Sequence, residues 1–449
     1  MLVLRFEDGT IRIEGLEEST ARAESLPDVV WDDRGLVARA PAFRYADIRR
    51  ALCESDTAFE DHVRHESTLS LSHSYDLRPY QRDAGAAWRD NDDRGVVELP
   101  TGAGKTVLAV DAIATLGVPT LVVVPTIDLL TQWRRELETE FEVAVGQFGG
   151  GEQTQARITV STYDSAYLRA EAVGGDFGLV VFDEVHHLGG EGYRDIARLL
   201  AAPARLGLTA TFERSDGAHE VLEDLVGPKV YEASVDDLAG EHLAAYEIRR
   251  IEVELGPEER EAYEEAQGTF VDYLKRSNLS LASGSDYRKL VMRSGTDPEA
   301  REALLAKQRA RRIMMNADAK VDTLGRLLDR HRGDRVIVFT AHTDLVYRLS
   351  DRYLLPAITS ETGASERQEI LDRFREGTYS RVVAANVLDE GVDVPDANVA
   401  VVLAGSGSER EFTQRLGRIL RPKSDGRSAL LYEVVTEETA EERVADRRR

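Results

Sequence analysis

The sequence predicts an α/β protein with two parallel-sheet lobes in tandem, a small α+β N-terminal domain and a helical insertion between the lobes. Short apolar runs alternate with amphipathic segments from about residue 77 to 250, and the same pattern returns over 321–449. Such runs are typical of strands buried on both faces of a parallel sheet with crossover helices. The segment 255–320 lacks these runs and has a helical pattern.

The domains follow one another in a simple order. Residues 1–75 are predicted to form the small α+β domain, because LVLRF, a turn at EDGT and IRIEG indicate an Asp-Gly hairpin. The polar stretch HESTLSLSHSYD at 65–76 predicts a linker. The first lobe is then expected at 76–250, the helical insertion at 251–320 and the second lobe at 321–449.

The charge of the chain favours adaptation to high salt. The 449 residues include 57 Lys+Arg and 81 Asp+Glu, for a formal net charge of −24, and only 7 residues are lysine. A dispersed acidic surface keeps a protein soluble at high salt. The alternative is an ordinary acidic protein, whose charge would argue against a nucleic-acid partner. High salt removes most of that objection, because it screens the repulsion.

Composition also excludes several classes of protein. No apolar run approaches the roughly 20 residues of a membrane span. The N-terminus MLVLRFEDGT lacks the features of a signal peptide. Cys53 is the single cysteine, which rules out an internal disulfide and a Cys-rich zinc site. We therefore expect a cytoplasmic protein with no membrane partner.

The segment LPTGAGKT at 99–106 has the context of a phosphate-binding loop. It follows the predicted strand GVVEL and precedes the apolar helix VLAVDAIATL. Lys105 is expected to reach the β and γ phosphates, and Thr106 to place its hydroxyl on Mg²⁺. The residues expected to hold the nucleotide are Thr101, Gly102, Ala103, Gly104, Lys105 and Thr106. The complete pattern has Gly where Leu99 stands, and the alternative is a Gly-rich turn.

The segment FGLVVFDEVHH at 177–187 is an apolar strand that ends in two carboxylates. Asp183 would hold Mg²⁺ at the carboxyl end of the strand, and Glu184 would orient and deprotonate the attacking water. Taken alone, the pair could be structural. His186 and His187 are adjacent and are expected to point to opposite sides. Without an HExxH pattern or cysteine partners, a zinc site there is not favoured.

A basic segment, QRLGRILRP at 414–422, offers charge for the transition state of phosphoryl transfer. On a helix, Gln414, Arg418 and Arg421 share one face. An arginine that reaches the γ-phosphate from another lobe stabilises transition-state charge. The alternative is a basic helix on an acidic protein.

These segments together resemble the superfamily-two helicases. The motifs occur in helicase order over 77–422: LRPYQ, PTGAGKT, VVPT, DEVHH, LTAT, VFTAHTD, NVLDEGVDVP and QRLGRILR. Within that superfamily the chain is most similar to archaeal XPB-type DNA repair helicases. DEVH, the string LTATFERSDG, the helical insertion and the small N-terminal domain carry this similarity.

The resemblance implies two RecA-like lobes that bind ATP and Mg²⁺ and couple hydrolysis to movement on, or opening of, duplex DNA. It implies a DNA helicase or translocase in nucleotide excision repair, with 3′→5′ polarity. Duplex or forked DNA and a nuclease or another repair protein are the implied partners, and we expect a monomer. The alternatives are another superfamily-two motor, of restriction type or acting on RNA, and a DNA-binding ATPase scaffold without unwinding.

The resemblance also assigns roles around the nucleotide. Gln81, with Arg78 nearby, would contact the adenine. Gly391 and Asp393 would lie near ATP at the lobe interface. The residues expected to link the ATP state to DNA are Thr209 and Thr211.

Other residues would contact DNA. Pro125 and Thr126 would lie on the DNA backbone, with a helix-initiating turn as the alternative. The family carries an Arg-Glu-Asp element that is thought to help part the strands, and here it is Arg214-Ser215-Asp216. The missing glutamate puts strand separation in doubt more than ATP hydrolysis, and a solvated loop is the alternative. The N-terminal domain resembles the family's damage-recognition domain by position and size.

The insertion is basic within an acidic chain. Residues 275–320 contain 11 Lys+Arg and 5 acids, which nets +6. Lys307, Arg309 and Arg312 are the candidate phosphate contacts in this thumb-like element. The alternative is a helix with ordinary mixed faces.

Overall fold

The computed structural model describes the chain except residues 17–25, 33–34, 36, 65–67, 191, 213–218, 239–245, 278, 280–283, 386–396, 404–428 and 442–449. The described residues divide into two compact units, one built from the chain up to residue 238 and one from the chain after it. No helix in the described part is long and apolar enough to cross a membrane.

The first unit begins with a five-stranded sheet. Its strands are β1 (Leu2–Glu7), β2 (Thr10–Glu14), β3 (Val30–Asp32), β4 (Val37–Pro41) and β5 (Phe59–His62), in the order β3-β4-β2-β1-β5. β1 and β2 are antiparallel, and the turn between them has Asp8 at φ 49° and Gly9 at φ 72°. Positive φ at both central residues matches a tight hairpin turn, which confirms the predicted Asp-Gly hairpin. Helix α1 (Tyr45–Glu54) packs on this sheet through Tyr45, Ile48 and Leu52.

This small sheet packs directly on the larger sheet of the same unit. Phe43 belongs to the core of the larger sheet, and Ala201, in the loop before β12, belongs to the core of the small one. Arg44 forms an ion pair with Asp224 across the contact at 2.7 Å. The N-terminal sheet and the first lobe therefore share buried surface.

The polar stretch predicted as a linker is held against the first lobe over its described residues 68–76. Leu69 donates its N–H to the Gly117 carbonyl at 2.6 Å. Ser74 donates both its N–H and its hydroxyl to the Glu140 carboxylate. These bonds hold the pKa of Glu140 below its usual range. The described residues of the stretch form no helix or strand, and these bonds attach them to neighbouring elements.

The larger sheet of the first unit has eight strands in the order β13-β6-β12-β11-β7-β10-β8-β9. They are β6 (Arg94–Glu98), β7 (Thr120–Val124), β8 (Val145–Gly149), β9 (Glu152–Thr154), β10 (Ile158–Thr162), β11 (Leu179–Asp183), β12 (Ala204–Thr209) and β13 (Lys229–Glu232). All pairs are parallel except β8 with β9. Every residue of β7, β10, β11 and β12 is buried, as the apolar runs predicted.

Crossover helices flank this sheet. They are α2 (Pro79–Asp90), α3 (Lys105–Leu116), α4 (Ile127–Phe141), α5 (Tyr163–Val173), α6 (Arg194–Leu199), α7 (His219–Leu225) and α8 (Val235–Leu238). Strands β6, β12, β11 and β7 are consecutive neighbours, so their carboxyl ends lie side by side. In parallel α/β sheets this edge is where ligands bind.

The second unit contains a six-stranded parallel sheet in the order β14-β19-β18-β15-β17-β16. Its strands are β14 (Tyr246–Val253), β15 (Val336–Thr340), β16 (Ala357–Ile358), β17 (Arg381–Ala385), β18 (Val399–Val402) and β19 (Ala429–Thr436). β14 pairs with β19 along its whole length, so the predicted lobe boundary at residue 250 falls inside a strand of the second sheet. β14 is an edge strand with alternating charge, EIRRIEV, which hides it from a search for buried runs.

Three helices form the insertion, α9 (Pro257–Ser277), α10 (Gly284–Ser294) and α11 (Pro298–Met315). Phe270, Tyr273, Leu290, Ala300 and Ala303 make their shared core. Helices α12 (Asp318–Arg330), α13 (Thr343–Tyr353) and α14 (Ala364–Arg375) complete the second unit. α12 packs on the second sheet, because its apolar side chains join the core of that sheet.

Candidate active site

The phosphate-loop segment joins the carboxyl end of β6 to the start of α3. Gly102 and Gly104 have φ of 85° and 79°, a left-handed conformation that glycine adopts without strain. A Cβ on Gly104 would lie 2.5 Å from the Gln81 side-chain nitrogen, so a larger residue would displace that amide in addition to straining the backbone. Helix α3 begins at Lys105, and its first-turn N–H groups and dipole favour a bound anion.

Lys105 and Glu184 face each other across this loop. The Lys105 ammonium lies 3.9 Å from Glu184 Oε1 and donates to the Leu99 carbonyl at 3.2 Å. Leu99, which replaces the pattern's glycine, has a fully buried side chain. Its N–H donates to the Thr209 carbonyl at 3.0 Å, so the departure fits between β6 and β12. Two sequence-predicted catalytic side chains are thus brought together.

Gln81 and Tyr80 hold the loop from helix α2. The Gln81 amide donates to the carbonyls of Ala103 and Gly104 at 3.0 and 3.2 Å, and its oxygen accepts the Arg78 N–H at 2.9 Å. Tyr80 donates its hydroxyl to the same Ala103 carbonyl at 2.6 Å. Gln81 was predicted to contact adenine; in this geometry both of its amide protons are on the loop. A contact with adenine requires these bonds to exchange.

Asp183 lies buried at the end of β11 with both carboxylate oxygens hydrogen-bonded. Trp133 donates its indole N–H to Oδ2 at 2.8 Å, and the Glu184 N–H donates to Oδ1 at 3.0 Å. Burial, with the nearby Glu184 charge, raises the pKa of Asp183 to about 6, although Lys105 opposes the shift. Tyr163 donates its hydroxyl to the Asp183 carbonyl oxygen at 3.1 Å.

Glu184 occupies a strained backbone position. Its φ of 49° and ψ of 54° are left-handed, which is uncommon for a residue with a side chain and concentrates at functional sites. This turn directs the carboxylate toward Lys105 on one side. On the other side, Glu184 Oε2 lies 3.5 Å from His186 Nδ1.

A polar chain leads from Glu184 to the end of β12. His186 Nδ1 lies 3.1 Å from Thr209 Oγ1. Thr209 donates that hydroxyl to the Thr211 carbonyl at 2.8 Å and accepts the Thr211 N–H at 3.1 Å. Since the Thr209 hydroxyl donates to the Thr211 carbonyl, its oxygen is left to accept, and the tautomer with the proton on His186 Nδ1 matches this pattern. The chain connects the two residues predicted to link ATP state to DNA with Glu184.

The histidine pair corrects one expectation. The rings of His186 and His187 lie with centroids 4.5 Å apart, so the prediction that they point to opposite sides was wrong. The cause is the 3₁₀ turn Val185–Gly189, which brings successive side chains closer than an extended strand would. Among the described residues, no cluster of His, Cys, Asp and Glu could hold a metal ion.

Pro125 and Thr126 lie between β7 and α4 and are partly exposed. Thr126 is the N-cap of α4, and its hydroxyl oxygen accepts the Leu129 N–H at 3.2 Å. The helix-initiating role that was the alternative is therefore present. The cap does not cover the first turn of α4, where Ile127 is 46% exposed.

The basic side chains between residues 275 and 320 differ widely in their exposure to solvent. Lys320 is fully buried, with its ammonium 2.6 Å from Glu441 and donating to the Leu403 carbonyl. It belongs to the interior and cannot grip phosphate. Lys307 is half-buried over the rings of Phe270 and Tyr287 at 5.3 and 4.4 Å, and burial lowers its pKa. Lys307 is thus a constrained cation rather than a free phosphate contact.

Arg309 and Arg312 are exposed on one face of α11. With Arg301, Leu305 and Gln308 they line a shallow cavity of about 460 Å³. Arg311 lies on another face, where it and Met314 line a second cavity. The two arginines on the shared face are the accessible cations among the three predicted phosphate contacts.

Seven predicted site residues lie outside the described residues: Arg214, Asp216, Gly391, Asp393, Gln414, Arg418 and Arg421. Their roles stay predictions. Conversely, no role was predicted for Tyr80, which contacts the loop, or for Trp133 and Tyr163, which contact Asp183. Trp133 stands within the helical pattern IDLLTQWRREL as an ordinary apolar residue. Only its polar indole N–H hinted at a buried acceptor.

Family models match three parts of the chain. Residues 4–63 match the xeroderma pigmentosum group B helicase damage recognition domain. Residues 74–214 match the res subunit of type III restriction enzymes, and residues 300–449 match the ERCC3/RAD25/XPB C-terminal helicase. The two parts outside 74–214 thus resemble the same kind of protein.

The chain is 45% identical to the DNA 3′-5′ translocase XPB2 of Sulfurisphaera tokodaii over 94% of this chain and 96% of that protein. It is 32% identical to the DNA 3′-5′ helicase XPB of Mycobacterium tuberculosis, covering 83% of this chain and 63% of that one. It is 31% identical to a putative DNA 3′-5′ helicase Rad25 of Halobacterium salinarum, covering 97% of this chain and 65% of that one. The chain spans less than two thirds of the last two relatives.

Among solved structures, the helicase domain of Pyrococcus furiosus Hef is similar with a TM-score of 0.52. The match covers 83% of this chain and 98% of that one at 19% identity, which supports the fold alone. It agrees with the predicted pair of RecA-like lobes.

Proposed function

The chain belongs to the XPB family of helicases, and from that membership we propose that it hydrolyses ATP to move along or open duplex DNA. The observation that carries the proposal is the meeting of Lys105, Glu184 and Thr209 at the carboxyl ends of neighbouring strands. A nucleotide-driven motor requires a loop that binds the phosphates and a base that activates the attacking water. It also requires a connection from the nucleotide to the DNA-binding surface, which the hydrogen-bonded chain from Glu184 to Thr209 could provide. The 45% identity with a translocase over nearly its whole length supports the choice of substrate.

The nucleotide would be held by the loop 101–106. Its N–H groups bind phosphate oxygens, and Lys105 leaves the Leu99 carbonyl to reach the β and γ phosphates. Glu184 positions a water and accepts its proton at a carboxylate oxygen. Gly391 and Asp393 are proposed near the nucleotide, and Arg418 and Arg421, with Gln414, are proposed to stabilise charge on the transferred phosphoryl group.

Thr106 and Asp183 would hold Mg²⁺. A hydroxyl and a carboxylate are hard oxygen donors of the type Mg²⁺ selects. Burial raises the pKa of Asp183 to about 6, which marks a buried carboxylate whose negative charge lacks full compensation. A cation at this position removes that penalty, so the residues fit the ion. When bound, Mg²⁺ neutralises charge on the phosphates during transfer.

DNA would lie against the exposed start of α4 at Pro125 and Thr126 and against Arg309 and Arg312 of the insertion. Main-chain N–H groups and arginines are the usual phosphate contacts, and they carry no sequence information. The Arg214–Asp216 element is proposed to act where strands part. We place the activity in DNA repair, with a nuclease or another repair protein as partner and a monomer as the active form.

One experiment decides between this motor and the alternatives. ATP hydrolysis, strand displacement and triplex displacement would be measured at one fixed molar salt with duplex, forked and single-stranded DNA and with RNA. We expect duplex or forked DNA to stimulate hydrolysis, and Lys105→Ala to abolish it. Stimulation by RNA alone would contradict the proposal. DNA binding with low, unstimulated hydrolysis would instead favour a scaffold.

The restriction-type alternative rests on the match of residues 74–214 to a restriction-enzyme subunit. Triplex displacement without strand displacement is the expected signature of translocation alone. It would agree with an XPB-type translocase as well, so the decisive readout is the response to a fork. A fork that raises both hydrolysis and strand displacement favours the helicase.

A further inference from the structure

We propose that Trp133 is a positioning residue that fixes the Asp183 carboxylate and makes its orientation depend on contacts at the start of helix α4. The inference rests on the proposed function, because it assigns to that site a route by which DNA alters metal binding. Trp133 does not touch substrate; it acts through Asp183.

The two oxygens of Asp183 are held from different elements. Oδ1 accepts the N–H of the next residue, Glu184, and that contact is set by the local turn. Oδ2 accepts the indole N–H of Trp133 at 2.8 Å, and that contact is set by helix α4. An indole N–H only donates, so it cannot itself bind a cation. Its effect is to select the carboxylate rotation and hence the direction of the remaining lone pairs.

The indole is held firmly enough to have this effect. Trp133 is 1% exposed, and it lies on the buried face of α4 with Leu130, Leu137 and Phe141. These neighbours follow the helical spacing, so the helix and the ring move together. A hydrogen-bonded partner behind a metal ligand commonly changes metal affinity by about 10–100-fold when it is removed.

The same helix begins at the proposed DNA contact. Thr126 caps α4, and Ile127 in its first turn is exposed. Trp133 lies six residues beyond Ile127, which is about 9 Å along a helix. Over this distance a helix is stiff, so a shift of its first turn on phosphate binding would move the indole as well. A hydrogen bond of 2.8 Å is sensitive to displacements of a few tenths of an ångström.

A coupling of this kind is reciprocal. If DNA at the start of α4 improves the hold of Asp183 on Mg²⁺, bound Mg²⁺ must improve DNA affinity by the same factor. Removing the indole N–H while keeping the ring should remove the coupling and leave the helix packed. Phenylalanine at position 133 makes this change.

The test is a Mg²⁺ titration of the full chain with a fluorescent ADP analogue bound, with and without a mixed-sequence duplex. We expect duplex DNA to lower the half-saturating Mg²⁺ concentration of the parent. Trp133→Phe should raise that concentration by about 10–100-fold and abolish the DNA effect. Trp88→Phe is the matched control, since Trp88 is also 1% exposed and donates its N–H to the Arg205 carbonyl at 2.9 Å. It should behave like the parent.

Three outcomes overturn the inference. Parental Mg²⁺ affinity in Trp133→Phe removes the positioning role. Weaker Mg²⁺ binding with an unchanged DNA effect removes the coupling. If Trp133→Phe does not fold, a variant with Trp31→Phe and Trp88→Phe leaves Trp133 as the single tryptophan; unchanged tryptophan emission on adding Mg²⁺-ADP then overturns the inference. Failure of the proposed function is distinct, because the parent and Trp88→Phe would then lack DNA-stimulated hydrolysis.

Discussion

The carboxyl edge of the eight-stranded sheet and helix α11 of the insertion are both predicted to bind phosphate. They differ in how their charged side chains are buried and held. At the sheet edge, Lys105 and Glu184 are 11% and 12% exposed and are aimed by hydrogen bonds. In the insertion the basic side chains are numerous and mostly exposed. Position, rather than number, decides which charges are available to a ligand.

Local pairing reduces the insertion's usable charge. Five of its basic residues have acidic partners within the described chain: Lys275, Arg276, Lys289, Arg293 and Lys320. Lys307 is held over two aromatic rings. Apart from the exposed Arg288 of α10, the accessible positive surface is therefore concentrated on α11, at Arg301, Arg309 and Arg312 on one face and Arg311 on another. A net charge of +6 overstates what DNA would meet.

The largest expected effect lies at the sheet edge. Glu184→Gln should leave ATP bound but slow its hydrolysis by roughly 10²–10⁴, the range for loss of a general base. Lys105→Ala should weaken ATP binding itself, because the ammonium holds phosphate in the ground state. Equilibrium binding and single-turnover hydrolysis separate the two. Parental hydrolysis by Glu184→Gln would show that another group activates the water.

The next effect separates the buried Lys320, in the first turn of α12, from the exposed lysines of the insertion helices. Lys320→Ala leaves Glu441 buried without its partner, which should lower the free energy of unfolding by about 3–5 kcal/mol. Lys275→Ala, at an exposed pair, should change it by less than about 1 kcal/mol. Urea unfolding at fixed salt measures both. Lys320→Met with Glu441→Gln should recover part of the loss, since no charge then remains unpaired.

The strands and the nucleotide loop could be predicted because their signals are local. A buried parallel strand is a continuous apolar run, and the loop's glycines and lysine have fixed spacing. A search for apolar runs misses β14, because this edge strand alternates charged and apolar residues. It also misses β8, because the sequence VGQFG contains two glycines. The bond from Trp133 to Asp183 joins residues 50 apart. Only the pairing of β7 with β11 brings them together, so no spacing rule reveals it.

The same reasoning explains why the environments of Lys307 and Lys320 could not be predicted from the sequence. Lys320 and Lys307 look like their neighbours in the sequence. The burial of Lys320 depends on Leu403, directly after β18, and on Glu441, in the chain after β19. The rings over Lys307 come from α9 and α10. Side-chain environment at such sites is a property of tertiary packing.

Salt should act in opposite directions on local pairs and on the whole chain. With a net charge of −24, self-repulsion in dilute buffer opposes folding, and molar KCl screens it. Exposed pairs such as Lys289–Asp286 weaken at the same time, but each contributes little. We expect the melting temperature to rise by roughly 2–4 °C for each kcal/mol gained. A flat or falling melting temperature would remove the halophilic interpretation.

The smallest effect should be confined to the exposed face of α11. Arg309→Gln with Arg312→Gln should weaken duplex binding equally on all sequences, because phosphate contacts carry no sequence information. Each lost contact should also flatten the plot of log affinity against log salt by roughly one unit. Lys307→Gln should change the slope less, since its ammonium is half-buried over aromatic rings.

The matched control for that pair is Lys275→Gln with Lys289→Gln, which removes the same charge from the same insertion. These lysines already have acidic neighbours at 3.9 and 3.2 Å, so their loss should leave the salt slope nearly unchanged. Hydrolysis without DNA should be parental in both variants, because no nucleotide contact is proposed there. Equal slopes for the two variants, measured at the lowest salt that preserves folding, would mean that the arginines form only a solvated face. In that case no basic side chain of the insertion would be positioned to bind phosphate, in contrast to Lys105 at the sheet edge.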